Sequence, residues 1–251
     1  LLKCKFIKLV NYKNSLKNID NTLQTELEKV DIANDVKISY SFFSRKDLAV
    51  CKELKDIHKG TINSIIELKD GRILSSGDDQ KVLVWSVEKK GLEFPLTENK
   101  ESVAYCTQLA EGNIAVTGGG SKKLMFWDLE SKTMTDSVEL DQQLWTICTL
   151  KDNRLAIGCG NGDIKLYNPK DKSTAAVLKG DVPICVHKVL ELEPGWLLST
   201  TESNSFYVWN LSSPGDKFSL SAHEGSVTDA CRVDDKVLAS VGKDKKLKVW
   251  C

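Results

Sequence analysis

The chain has 251 residues, and its 35 Lys and Arg balance 35 Asp and Glu for a formal net charge of zero. That balance argues against nucleic-acid binding through bulk electrostatics, and no apolar run reaches the ~18 residues of a membrane span. Eight cysteines without a C-x-x-C pair and only three histidines favour buried, reduced thiols over a disulfide framework or a zinc module. With no evident signal peptide, the expected location is the cytoplasm or another intracellular compartment.

In chain order, residues 1–33 are expected to form a helical amino-terminal segment or linker. Leu16, Ile19, Leu23, Leu27 and Val30 recur at three and four, the apolar stripe of an amphipathic helix, and Asn14 or Ser15 could cap it. Such a helix packs on the edge of a neighbouring domain or serves oligomerisation. From residue 34 to 251 the pattern turns to short strands. Val36–Tyr40 resembles a third strand of the repeat described next, and Leu48–Leu54 a fourth.

The rest of the chain is periodic. Trp85, Trp127, Tyr167, Trp209 and Trp250 recur at spacings of 42, 40, 42 and 41, each closing a short apolar strand such as Val82-Leu83-Val84-Trp85. About ten residues upstream of each lies another strand (Ile73, Ile114, Leu155, Leu197 and Leu238 begin them), joined to it by a Gly/Asp/Asn/Ser turn. A further strand precedes these, with apolar residues three apart, and a more polar one follows each aromatic. Four short strands per forty-odd residues is the period of a β-propeller blade, and no repeat holds a ten-residue run of helical periodicity.

These residues resemble the WD-repeat (WD40) β-propeller family. The literal dipeptide stands at Trp127-Asp128, and His58, Ser75, Asp79 and Trp85 fall on His223, Ser240, Asp244 and Trp250 across an ungapped offset of 165. The resemblance implies an all-β propeller with five clear four-stranded repeats, and a buried hydrogen-bond network of those four residue types in the first and last. The middle repeats depart from it, with Ser121, Asn161 and Ser203 at the hairpin Asp position and no His at the turn. Three closures are open: a five-bladed ring with residues 48–54 as the missing outer strand, a degenerate sixth blade from residues 1–54, or a piece of a seven-bladed ring. A fragment or degenerate propeller is favoured over a self-sufficient five-bladed ring.

No catalytic constellation emerges. There is no G-x-x-x-x-G-K-[ST], G-x-S-x-G or H-E-x-x-H, and Gly118-Gly119-Gly120 lies between two strands without a following helix, as a hairpin does. The expectation is therefore a non-catalytic scaffold with no cofactor, no metal and no small-molecule substrate, holding a protein or peptide within a larger assembly. Its sharper form is the substrate-recognition part of a multidomain ligase or kinase-type protein, and its rival is a constitutive subunit of a cytoskeletal or ribonucleoprotein complex. The family's docking face implies partner-binding positions at Thr61, Asn63, Asp78, Trp145, His187, Glu202, Thr228 and Lys243. Trp145 is the leading anchor, because interface energy concentrates on Trp, Tyr and Arg.

Overall fold

The computed structural model describes residues 57–96, 102–110, 114–119, 122–213, 215–233 and 237–250. The expected helix in 1–33 and the strands expected at 36–40 and 48–54 lie outside the described residues. Within them the regular structure is all strand. The first sheet comprises β1 (Ile62–Glu67), β2 (Ile73–Gly77), β3 (Val82–Ser86) and β4 (Gly91–Leu96). The second comprises β5 (Val103–Gln108), β6 (Ile114–Gly119), β7 (Lys123–Asp128) and β8 (Thr133–Glu139). The third holds β9 (Leu144–Thr149), β10 (Leu155–Cys159), β11 (Ile164–Asn168) and β12 (Ser173–Leu178). The fourth holds β13 (Val186–Glu193), β14 (Trp196–Thr201), β15 (Ser205–Asn210) and β16 (Lys217–Ser221). In the fifth, β17 (Val227–Arg232), β18 (Leu238–Gly242) and β19 (Leu247–Trp250) make three strands among the described residues.

Every sheet is an antiparallel meander with strands in chain order. Local sequence explains the hairpins. In the turns between β2 and β3 and between β18 and β19, Gln80 and Lys245 take positive φ angles of 66° and 64°, and each donates its backbone N–H to the carbonyl of Gly77 or Gly242. The central strands bury both faces, as Leu74, Val82, Leu83 and Val84 show. Buried on both sides, they read as unbroken apolar runs, not as alternating ones.

The core lies in the seams between sheets, which gives five radially stacked blades. Leu74, Val84 and Phe94 of the first sheet pack with Met125 and Trp127 of the second. Val116, Leu124 and Phe126 meet Ile147, Leu155 and Tyr167, and Ala156, Ile164 and Leu166 meet Val186, Leu197 and Trp209. Leu198, Phe206 and Val208 meet Val227 and Ala230, with Leu238 and Trp250 half-buried beside them. In each seam the repeating aromatic of the later sheet covers the earlier one, so the period of the aromatics is the period of the seams. The innermost strands neighbour one another in the order β1, β5, β9, β13, β17. At one seam the approach is tight enough to need glycine: a Cβ on Gly158 would come within 2.5 Å of Thr146 Cγ2 and 2.7 Å of Val186 Cγ1.

Candidate functional site

The loops entering each inner strand and the turns joining its two central strands share one face of the stack. On the first sheet, Trp85 Nε1 lies 2.7 Å from Ser75 Oγ, Ser75 Oγ 2.8 Å from His58 Nε2, and His58 Nδ1 2.9 Å from Asp79 Oδ1. One donor order satisfies every atom: indole N–H to hydroxyl, hydroxyl to neutral imidazole, imidazole N–H to carboxylate. The fifth sheet repeats it, with Trp250 to Ser240 at 2.9 Å, Ser240 to His223 at 2.8 Å and His223 to Asp244 at 2.9 Å. Both carboxylates also accept backbone N–H groups, Asp79 from Lys59 and Lys81 and Asp244 from Glu224 and Lys246. Burial opposes ionisation of Asp244, but the His223 and backbone hydrogen bonds outweigh it and hold the carboxyl at about 2. The Asp79 pKa is lowered by the same balance.

The middle blades replace this chain of bonds in different ways. In the fourth, Trp209 still donates to Ser199 at 2.9 Å, while Ser203 closes a local turn with Thr201 and Ser205. In the third, Ile157 stands where the serine would be, and the buried Tyr167 hydroxyl has no partner. A different group ties that blade together. Asp163 is buried and accepts from Lys179 Nζ at 2.8 Å, Asn161 Nδ2 at 2.9 Å and the Gly180 N–H at 3.2 Å. It joins the turn after β10 to the loop after β12, two residues beyond the position where the repeat pattern looks for an aspartate. The repeat signal therefore missed it; the only cue was a carboxylate in the same turn, with a lysine ahead of the next blade. Ser121 lies outside the described residues.

The positions expected to meet a partner are brought to this face. Asp78 accepts from Asn63 at 2.6 Å and from Ser102 of the next sheet at 2.7 Å, and these two bonds lead the lowering of its pKa. Thr61 gives its carbonyl to the Asp78 N–H at 2.9 Å. Trp145 is half-buried and lies against the turn of its own blade, with Nε1 2.8 Å from where a Cβ on Gly160 would sit. That nitrogen is buried and has no hydrogen-bond partner. Around it run Cys185, whose Sγ is 3.5 Å from the Gly160 carbonyl, and His187, 3.9 Å from the carboxylate of the exposed Glu202. The Glu202 carbonyl receives Ser226 Oγ at 2.6 Å, and Lys243 N–H donates to the Ser226 carbonyl at 2.9 Å. Trp145, His187, Glu202 and Lys243 thus form a continuous arc over the third to fifth sheets, and Asn63, Thr61 and Asp78 a second cluster over the first. Thr228 is exposed at the start of β17 and donates to the Val241 carbonyl at 3.1 Å.

Near the inner strands, polar groups of separate blades meet. Tyr105 Oη on β5 lies 3.5 Å from the His187 carbonyl on β13, and Lys188 pairs with Asp229 at 3.5 Å. Burial, then the charge of Asp229, pushes the Tyr105 phenol up to about 12. No group of three or more His, Cys, Asp or Glu among the described residues is placed to hold a metal ion. No helix among them is long and apolar enough to cross a membrane.

The family model "WD domain, G-beta repeat" matches residues 51–86 and 216–251, the two segments that carry the complete hydrogen-bond chains. The chain carries two WD repeats on a propeller of five stacked sheets. Three relatives are similar over part of its length. Echinoderm microtubule-associated protein-like elp-1 of Caenorhabditis elegans is 25% identical over 148 residues, 56% of this chain and 16% of the relative. WD repeat-containing protein 55 of Arabidopsis thaliana is 23% identical over 203 residues, 78% of this chain and 57% of its own. The mRNA export factor GLE2 of Chaetomium thermophilum is 26% identical over 117 residues, 45% of this chain and 32% of its own. The chain therefore aligns with less than two thirds of the length of each.

Proposed function

We propose that this propeller is a non-catalytic scaffold that holds a protein or peptide on the face carrying the His turns. The observation that supports it is the arc of Trp145, His187, Glu202 and Lys243. An aromatic ring, an imidazole and charges of both signs sit side by side on loops fixed by the sheets beneath. In its finer form the scaffold selects substrates for a multidomain ligase or kinase-type protein. The relative named for microtubule association favours a second reading, a constitutive subunit of a cytoskeletal complex, which buries the outer strands instead.

The test is a displayed peptide library selected on the immobilised chain, with the recovered peptides re-measured on a Trp145→Ala/Lys243→Glu variant. Docking on this face predicts at least a tenfold loss of affinity, about 1.4 kcal/mol. Peptides that bind both proteins equally overturn the assignment and favour the outer strands.

A further inference from the structure

In every sheet the register of the inner strand skips one residue, which leaves Asn63, Ala104, Trp145, His187 and Thr228 as bulges. A bulge takes its residue out of the ladder and re-aims the side chain. In the first sheet the hairpin between the two central strands meets that side chain: Asn63 Nδ2 donates to Asp78 Oδ1 at 2.6 Å. In the fourth, Glu202 stands 3.9 Å from His187 Nε2, and in the fifth Thr228 donates to the Val241 carbonyl at 3.1 Å.

The third sheet differs. Gly160 holds the place of Asp78 there, since each gives its backbone N–H to the carbonyl two residues before the bulge, Gln143 or Thr61. Having no side chain, Gly160 offers the indole no acceptor, and Trp145 Nε1 is buried without a hydrogen-bond partner among the described residues. A buried donor left unpaired is costly, so an acceptor from outside gains most at this atom.

Nothing can reach Nε1 where it lies, so the ring has to turn outward first. The turn beneath it is pinned, by Gly160 N–H to the Gln143 carbonyl at 3.1 Å, Cys159 N–H to the Asp163 carbonyl at 2.9 Å, and the Asp163 bonds to Lys179 and Gly180. The resting place of the ring depends on glycine, because a Cβ on Gly160 would lie 2.8 Å from Nε1 and 3.2 Å from Cδ1. The surroundings also select the acceptor. Cys185, whose Sγ is 3.5 Å from the Gly160 carbonyl, has its thiol pKa raised by burial and then by the charge of the exposed Glu202. A second anion is repelled there, whereas a neutral carbonyl is not.

We propose that Trp145 is a hinged anchor, folded on Gly160 in the free chain and turned outward on docking to donate its N–H to a main-chain carbonyl of the bound peptide. This deepens the docking reading above and rests on it. Indole N–H resonances of the isotope-labelled full chain test it. Trp85, Trp209 and Trp250, whose N–H groups reach serine hydroxyls at 2.7, 2.9 and 2.9 Å, serve as internal references. In the free chain the Trp145 resonance, assigned by its loss in Trp145→Phe, should lie upfield of those three and exchange slowly with solvent. Gly160→Ala should speed that exchange about tenfold or more while the references hold.

With a library-selected peptide bound, the Trp145 resonance should move downfield into the range of the references. Trp145→Phe, which lacks only the donor, should bind roughly fivefold more weakly with no loss of urea midpoint. Gly160→Ala, already turned out, should bind more tightly than wild type. Unchanged exchange in Gly160→Ala overturns the hinge without any peptide. A resonance that stays upfield and protected in the complex, or Trp145→Phe binding like wild type, overturns the hinge and leaves the docking face standing. Peptides that bind Trp145→Ala as tightly as wild type overturn both.

Discussion

At the scale of single residues, buried polar groups are worth what their partners make them worth. Asp79→Ala leaves the His58 Nδ1–H and the Lys59 and Lys81 backbone N–H groups without their acceptor, and should cost roughly 1–3 kcal/mol. Ser203→Ala removes only a local turn bond and should cost less than ~1 kcal/mol. Equal urea midpoints for the two variants would contradict the roles given to them. The Tyr167 hydroxyl is the reverse case, since it is buried with no partner. Tyr167→Phe should therefore leave stability unchanged or raise it by up to about 1 kcal/mol, whereas Ser199→Ala, which orphans the Trp209 N–H, should lower it.

The carboxylates also set a pH dependence. The Asp244 pKa in the folded protein, about 2, lies below its ordinary value of 3.8. A depressed carboxyl contributes its full stability above the unfolded value and loses it as pH falls toward the folded one. The urea midpoint should thus drop between about pH 4 and pH 2, and Asp244→Asn should flatten that part of the curve. An unchanged slope in the variant would assign the acid sensitivity to other groups.

At the scale of elements, the strands and their period were legible because seams between blades demand one bulky apolar residue at a fixed place in every repeat. The aromatics near every forty-first residue are that demand written in sequence, and Trp127, Tyr167, Trp209 and Trp250 sit in the seams their spacing implies. The complete His–Asp chains were legible for the same reason, as two copies at a constant offset. Asp163 was not, because its clasp with Lys179 and Gly180 occurs once and a repeat search sees only what recurs. Nor was the resting place of Trp145, since the pattern says which strand carries the indole but not that Gly160 leaves room for it to fold back. Close approach of elements has its own test. Gly158→Ala puts a methyl group into the Thr146 and Val186 side chains, and should cost about 1–3 kcal/mol. A neutral result by thermal unfolding would mean that the third and fourth sheets can part without penalty.

For the molecule as a whole, stacked sheets form a rigid frame whose variable parts are the loops at one face. The first and last repeats keep the complete polar chain, while the third and fourth, which lack it, carry Trp145, His187 and Glu202. On the proposed docking face, the blades without the His–Asp tie thus supply the indole, the imidazole and Glu202, and the fifth, which keeps the tie, supplies Lys243. Hydrogen exchange of the full chain, with and without a bound partner, tests that division most directly. The account predicts added protection in the loops and strand ends around Gln143–Trp145, Gly160, Cys185–His187, Glu202 and Ser226. Protection confined to the outer strands β4, β8, β12 and β16, with those loops unchanged, would contradict it.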